Sequence, residues 1–93
     1  MKITIYQASN PTFRVKKDAT YKIGDYKIVY ETESDFGEAK DNEILEHFFE
    51  VCNLTHPEGY TGHSLSVGDI VELDDRLYIC SAFGWNKINW VKD

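Results

Sequence analysis

Hydrophobic and polar residues alternate at the beginning of the chain and in several later segments. Ile3 and Ile5 alternate with more polar neighbours over residues 2–7, which predicts an opening strand with one buried face. Residues 12–16 alternate in the same way. Residues 26–33 are rich in β-branched and aromatic side chains and predict a further strand.

The clearest predicted element is a helix over about residues 41–53. Its apolar residues recur at helical spacing and form one stripe: Ile44, Leu45, Phe48, Phe49 and Cys52. Asp41 or Asn42 is expected to cap the first turn, and Pro57 prevents continuation. The other side of the helix carries the glutamates, so we expect it to pack on a sheet with its acidic side in water.

The second half of the chain alternates turn signals with short apolar strands. A glycine-rich segment, residues 57–62, follows the helix. Residues 70–73 and 76–80 predict a hairpin, and residues 85–90 predict a last strand. We therefore expect a single α+β domain over residues 1–93, with a mostly antiparallel sheet of about five or six strands and one principal helix packed on it.

Ser64 and Ser66, which precede this hairpin, are predicted to have a structural role. In extended backbone, Ser64 and Ser66 would share one face, opposite Leu65 and Val67. We expect their hydroxyls to satisfy nearby backbone groups, and the Asp69 carboxylate to accept hydrogen bonds from amides of the next strand.

Chain length restricts the classes of function. A chain of 93 residues with 42% hydrophobic residues forms a packed but modest core. A deep substrate cavity would compete with that core for the same apolar side chains, so we expect no enzyme and no cofactor. The chain has no apolar run long enough to cross a bilayer, and its first residues lack the apolar core of a signal peptide. We therefore expect a cytoplasmic protein, in which Cys52 and Cys80 stay reduced and buried.

Charge is distributed unevenly along the chain. The net charge is −6, yet residues 1–30 carry six basic and two acidic residues. Residues 31–50 carry eight acidic residues and one basic residue. A mainly acidic surface repels nucleic-acid phosphates and anionic lipids, so we expect neither nucleic acid nor a membrane as a direct partner.

Three catalytic or ligand chemistries find little support in the motifs. Cys52, His56 and His63 lie within twelve residues, but no CxxC or HxH pattern accompanies them, so no metal site is predicted. Cys52 belongs to the apolar stripe, where burial disfavours a nucleophilic thiolate. The Gly59-x-x-Gly62 pattern lacks the lysine of a phosphate-binding loop. No catalytic residue is predicted.

A longer motif carries a family resemblance. Residues 56–71 read HPEGYTGHSLSVGDIV, and residues 78–88 read YICSAFGWNKI. Both blocks resemble the signature of YodL-like domains, in which a His-Pro turn precedes a Ser-Leu-Ser-Val segment and a later strand precedes a Gly-aromatic turn. The resemblance extends over nearly the whole chain and is strongest over residues 56–88. Gly68 stands where the family usually has a polar residue, and His63 where it has a basic one.

The resemblance implies a small α+β domain for which no enzymatic activity is established as a class. Such domains belong to Gram-positive bacteria, phages and conjugative elements. The resemblance therefore implies that the protein comes from a mobile genetic element, but it does not identify a target protein.

We interpret the acidic run as a binding surface for a basic, nucleic-acid-binding host protein, since carboxylates along a helix imitate a phosphate track. The residues assigned to this surface are Glu38, Asp41, Glu43, Glu46, Glu50 and Trp85. The specific hypothesis is a non-enzymatic inhibitor of a host defence nuclease complex, of the anti-CRISPR or anti-restriction kind. The simpler interpretation of the same carboxylates is a solvated face.

A competing hypothesis is a small-ligand or signal-nucleotide site between the helix and the hairpin. It predicts a concave polar pocket, and its candidate residues are His56, Tyr60, His63, Ser64, Ser66 and Asp69. A third interpretation is a domain that forms homo-oligomers.

Overall fold

The structure is a computed structural model that describes residues 1–8, 23–82 and 84–90. Its elements are β1 (Lys2–Ala8), a 3₁₀ turn (Ile23–Asp25), β2 (Tyr26–Glu33), α1 (Asp41–Leu54), β3 (Ile70–Leu73), β4 (Arg76–Ser81) and β5 (Gly84–Ile88). Within these residues, an antiparallel sheet with one α-helix confirms the predicted α+β class. The predicted strand over residues 12–16 lies outside the described residues.

The sheet has the strand order β2-β1-β3-β4-β5, and each neighbouring pair is antiparallel. The first strand therefore lies near the centre, paired with β2 on one side and with β3 on the other. Ile5, for example, lies opposite Tyr30 on β2 and opposite Val71 on β3. In the described part of the chain, β2 and β5 are the edge strands.

The helix packs through the stripe that the sequence predicts. Its buried side chains are Ile44, Leu45, Phe48 and Cys52, and Phe49 is half-buried beside them. The predicted cap is wrong: Lys40 is the N-cap and makes no side-chain capping bond. Asp41 and Asn42 lie inside the helix, and the Asp41 carboxylate is hydrogen-bonded to Arg76. Within the described residues no helix is long and apolar enough to cross a membrane.

Apolar side chains cover both faces of the sheet. The helix-side core includes Ile3 and Ile5, together with the buried residues of α1. On the opposite face, Tyr6 packs in a second cluster with Ile70, Leu77 and Ile79. The prediction of one buried face for β1 is therefore wrong, since Thr4 and Tyr6 on its other side are also buried.

Residues 56–69, which we call the connector, contact the sheet next to a β-bulge. Ile5 pairs with Tyr30 and the next residue pairs with Ile28, so Val29 is the extra residue of β2. The Val29 carbonyl accepts a hydrogen bond from the Thr61 amide at 2.9 Å. Gly62 then passes very close to β1 and β2. An added Cβ would overlap the side-chain carboxamide of Gln7 and lie 2.8 Å from Val29 Cγ1.

We expect Gly62→Ala to destabilise the domain by about 1–3 kcal/mol, because the new methyl group has to displace buried side chains. Gly24→Ala is the matched control, since an added Cβ there meets nothing within 4 Å. Urea denaturation followed by tryptophan fluorescence measures both. Equal midpoints for the two variants would contradict this packing of the connector.

Candidate functional site

Gln7 is fully buried at the end of β1, where its carboxamide joins β1 to the connector. Its Nε2 donates to Asp69 Oδ2 at 3.0 Å and to the His63 carbonyl at 2.8 Å. Its Oε1 accepts from the His63 amide at 3.2 Å. Both ends of this side chain are therefore bonded inside the protein.

Asp69 extends the same network to β4. Its Oδ2 also accepts from the Ser66 amide at 2.8 Å, and its carbonyl accepts from the Cys80 amide at 2.9 Å. The expectation that amides of the next strand would bind this carboxylate is wrong, because its donors come from the preceding turn and from β1. Burial raises the pKa of Asp69 to about 6, against the lowering effect of the hydrogen bonds from Ser66 and Gln7.

Aromatic and hydroxyl groups of the connector bind one another. The Tyr60 hydroxyl donates to the His63 carbonyl at 2.6 Å. The rings of His56 and Tyr60 stack with centroids 4.8 Å apart, and His56 Nε2 lies 3.3 Å from Ser64 Oγ. The structure thus brings five of the six predicted ligand-binding residues together, with the Ser66 side chain apart from them, and most of the polar atoms of the five are already hydrogen-bonded within the protein.

The tautomer of His63 follows from its contacts. Its Nδ1 lies 2.7 Å from the Ser64 carbonyl oxygen. Because a carbonyl only accepts hydrogen bonds, Nδ1 carries the proton. The 3.3 Å approach of Gln7 Nε2 to the same nitrogen is then a contact between two donors, and not a hydrogen bond.

The alternation expected for residues 64–67 is wrong. Leu65 is buried in the core, whereas Val67 is 57% exposed. The segment is not part of a strand, and the backbone bond from the Asp69 amide to the Ser66 carbonyl at 3.0 Å closes a turn there. Gly68 within that turn has φ +96°, a backbone conformation that glycine adopts more readily than residues with a side chain.

Four of the six residues assigned to partner binding are exposed carboxylates: Glu38, Glu43, Glu46 and Glu50. Among the described residues none of the four forms an ion pair. Spacings of three and four residues place Glu43, Glu46 and Glu50 on one face of α1, which we call the acidic face.

Asp41 behaves differently from these glutamates. Its carboxylate accepts from Arg76 Nε at 2.6 Å and Nη2 at 2.9 Å, and from the Tyr78 hydroxyl at 2.5 Å. The hydrogen bond from Arg76 lowers the pKa of Asp41 below its ordinary value. Asp41 therefore joins the start of α1 to β4, and it is less available to a partner than the acidic face.

A groove of about 400 Å³ lies between α1 and the β4–β5 hairpin. Glu46 and Phe49 line its helix side, and Trp85 lines its strand side, with the two aromatic rings 6.4 Å apart and nearly perpendicular. Glu46 and Trp85, two of the predicted partner-binding residues, thus line one groove. Phe49 was assigned only to the core, although its place at the edge of the apolar stripe was a signal that it borders a surface.

Cys52 and Cys80 are free, buried thiols. Burial raises the pKa of Cys52 to about 11. The pKa of Cys80 is also raised, first by burial and then by the negative charges of Asp69 and Glu46. Neither thiol ionises readily near neutral pH. Over residues 1–8, 23–82 and 84–90, no three His, Cys, Asp or Glu side chains are grouped to hold a metal ion.

These features define a small antiparallel α+β domain whose connector is fastened to the sheet by a buried amide and carboxylate. The family model for YodL-like domains matches residues 3–90 of the 93-residue chain. The chain therefore belongs to the YodL-like domain family. No curated protein and no solved structure matches it significantly.

The raised pKa of Asp69 predicts an unusual dependence of stability on pH. The folded protein binds the Asp69 proton more tightly than the unfolded chain does, so this group favours folding most below about pH 4 and loses that effect as pH rises through about 6. We expect the free energy of unfolding of the wild type, relative to that of Asp69→Asn, to fall by about 2–3 kcal/mol between pH 4 and pH 7. Denaturant titrations at both pH values measure the difference, and a constant difference would contradict the buried carboxyl.

Proposed function

We propose that this domain is a non-enzymatic protein-interaction module that binds a basic partner protein through the acidic face of α1. The observation that carries the proposal is the placement of Glu43, Glu46 and Glu50, which are exposed on one helix face beside an aromatic groove. Like charges at this spacing oppose helix stability by about 0.2–0.5 kcal/mol per pair. A partner of opposite charge would relieve that repulsion.

The internal bonding of the connector supports this choice over ligand binding at residues 56–69. Gln7, Asp69 and Tyr60 direct their polar atoms toward one another and toward the His63 backbone. A ligand at these groups would have to break several of these hydrogen bonds, of which the bond between Gln7 and Asp69 is buried. Leaving a buried donor or acceptor unsatisfied costs about 1–3 kcal/mol. Ser66 is an exception, since its exposed side chain lines the groove and not the network.

The partner class follows from charge. A row of carboxylates on a helix resembles the phosphates of a nucleic acid to a binding groove rich in lysine and arginine. We propose that the partner is a nucleic-acid-binding host protein, and in the most specific form a defence nuclease complex of the CRISPR or restriction kind. Occupation of its nucleic-acid groove would inhibit it without any chemistry by this domain.

Charge reversal of the acidic face is the direct experiment. Glu43, Glu46 and Glu50 are changed together to lysine in a tagged domain, which is used to capture proteins from a nuclease-treated host lysate. We expect the wild type to capture a basic nucleic-acid-binding protein and double-stranded DNA to compete for that protein. The amount that the variant captures should be at least tenfold lower. Mass spectrometry identifies the captured protein, and its cleavage activity is then assayed with and without the domain.

The matched control reverses three exposed carboxylates elsewhere, namely Glu31, Glu58 and Asp75. It changes the net charge equally, so it separates a specific surface from general electrostatics. Capture by the control but not by the α1 variant supports the proposal. Equal capture by both variants, or loss with both, would show that the acidic face is not the binding surface.

A further inference from the structure

The outer edge of β5 presents backbone groups next to the groove. Cys80 uses its amide to donate to the Asp69 carbonyl, and its carbonyl to accept from the Gly68 amide, both at 2.9 Å. Both groups of Cys80 therefore point away from β5. In an antiparallel ladder the opposite residue, Trp85, then shares no bond with Cys80, and its own N–H and C=O point to the outer edge.

Lys87 lies two residues further along β5. Its backbone N–H and C=O also point to the outer edge, because the hydrogen-bond pattern of an antiparallel ladder repeats every second residue. Among the described residues no strand pairs with this edge, since β5 is the last strand in the sheet order. The other edge differs, because the connector covers part of β2 through the bond from Thr61 to Val29.

The edge and the groove form one continuous surface. The Trp85 side chain lines the groove on the helix side of the sheet, opposite Phe49. Glu46 borders the same groove, and its charge is close enough to raise the pKa of the Cys80 thiol, after the effects of burial and of Asp69. A strand added to β5 at the level of Trp85 would therefore direct every second side chain toward Phe49 and Glu46.

We propose that the β5 edge pairs with an extended segment of the basic partner protein, and that an arginine or lysine of this segment enters the groove. The inference rests on the proposed function and specifies how the partner binds. Main-chain hydrogen bonds to Trp85 and Lys87 supply affinity, as in other cases of strand addition. The groove supplies selectivity for one long basic side chain.

Charge and shape complementarity single out this occupant. The aliphatic stem of arginine or lysine packs on Phe49 and Trp85, while its cationic head reaches the Glu46 carboxylate and the aromatic faces. An acidic side chain at the same place would meet Glu46 and be repelled. A purely apolar side chain would leave that carboxylate desolvated and unpaired.

Binding of designed peptides tests the inference without knowledge of the natural partner. The probe is the capped peptide Thr-Val-Thr-Arg-Thr-Val-Thr, compared with a version that has a central glutamate and with one N-methylated on its pairing amides. Amide NMR spectra of the full domain report binding residue by residue. We expect the arginine peptide to shift Trp85 and Lys87, and the glutamate and N-methylated peptides to bind at least tenfold more weakly.

Two substitutions of Lys87 distinguish the contribution of its backbone N–H from that of its side-chain charge. Lys87→Pro and Lys87→Thr remove the same ammonium group, but only proline removes the outward N–H, and an edge strand tolerates it there. We expect Lys87→Thr to bind the arginine peptide like the wild type, and Lys87→Pro to bind it at least tenfold more weakly. Glu46→Gln should weaken the arginine peptide roughly three- to tenfold. If Lys87→Pro unfolds, the N-methylated peptide on the wild type decides the same point.

Equal binding by Lys87→Pro and Lys87→Thr, or by the parent and N-methylated peptides, would overturn strand addition. Equal binding of the arginine and glutamate peptides would overturn the basic side chain. A concentration-dependent dimer that Lys87→Pro abolishes would show that a second copy occupies the edge, which also overturns the inference. If strand addition fails while charge reversal on α1 still abolishes partner capture, the proposed function stands alone.

Discussion

The buried hydrogen bond between Gln7 and Asp69 joins parts of the chain that are far apart in sequence. It connects the end of β1 to the start of β3, and the Asp69 backbone carries the connection on to β4 through the Cys80 amide. The Gln7 side chain also holds the connector at this point. Its Nε2 donates to the His63 carbonyl, and its Oε1 accepts from the His63 backbone amide. A carboxylate without these donors would be too costly to bury.

This network determines which surfaces remain available to a partner. Most of the polar side chains that this segment was predicted to offer a ligand are hydrogen-bonded within the protein, so they shape and fasten the fold. The bond between Asp41 and Arg76 joins the start of α1 to β4. The later glutamates of the helix are exposed, since they lie opposite its buried stripe. The groove beside Trp85 then lies between the acidic face and the outer edge of β5, with which no strand of the described residues pairs. The proposed binding surface therefore includes Phe49 and Trp85, which also pack against the core, whereas the bond between Gln7 and Asp69 lies outside it.

Local patterns in the sequence predicted most of the fold. The helical stripe placed α1 within one residue of its observed end, and β2 and β3 lie where alternation and β-branched residues indicated them. The role of Gln7 was missed, although its spacing of two from Ile5 was a signal for a polar side chain on the buried face. The capping role expected of Asp41 failed because its partner, Arg76, is 35 residues away in the chain. Periodicity contains no information about such distant pairs, and the same applies to the meeting of Phe49 and Trp85.

Hydrogen–deuterium exchange on the domain, alone and with its captured partner, measures the central claim most directly. Exchange reports protection of individual backbone amides, so it distinguishes the acidic face and the β5 edge from the connector. The account predicts new protection of the Trp85 and Lys87 amides and of the α1 segment around Glu46, with residues 56–64 unchanged. Protection confined to residues 56–64, with β5 and α1 exchanging as in the free protein, would contradict it.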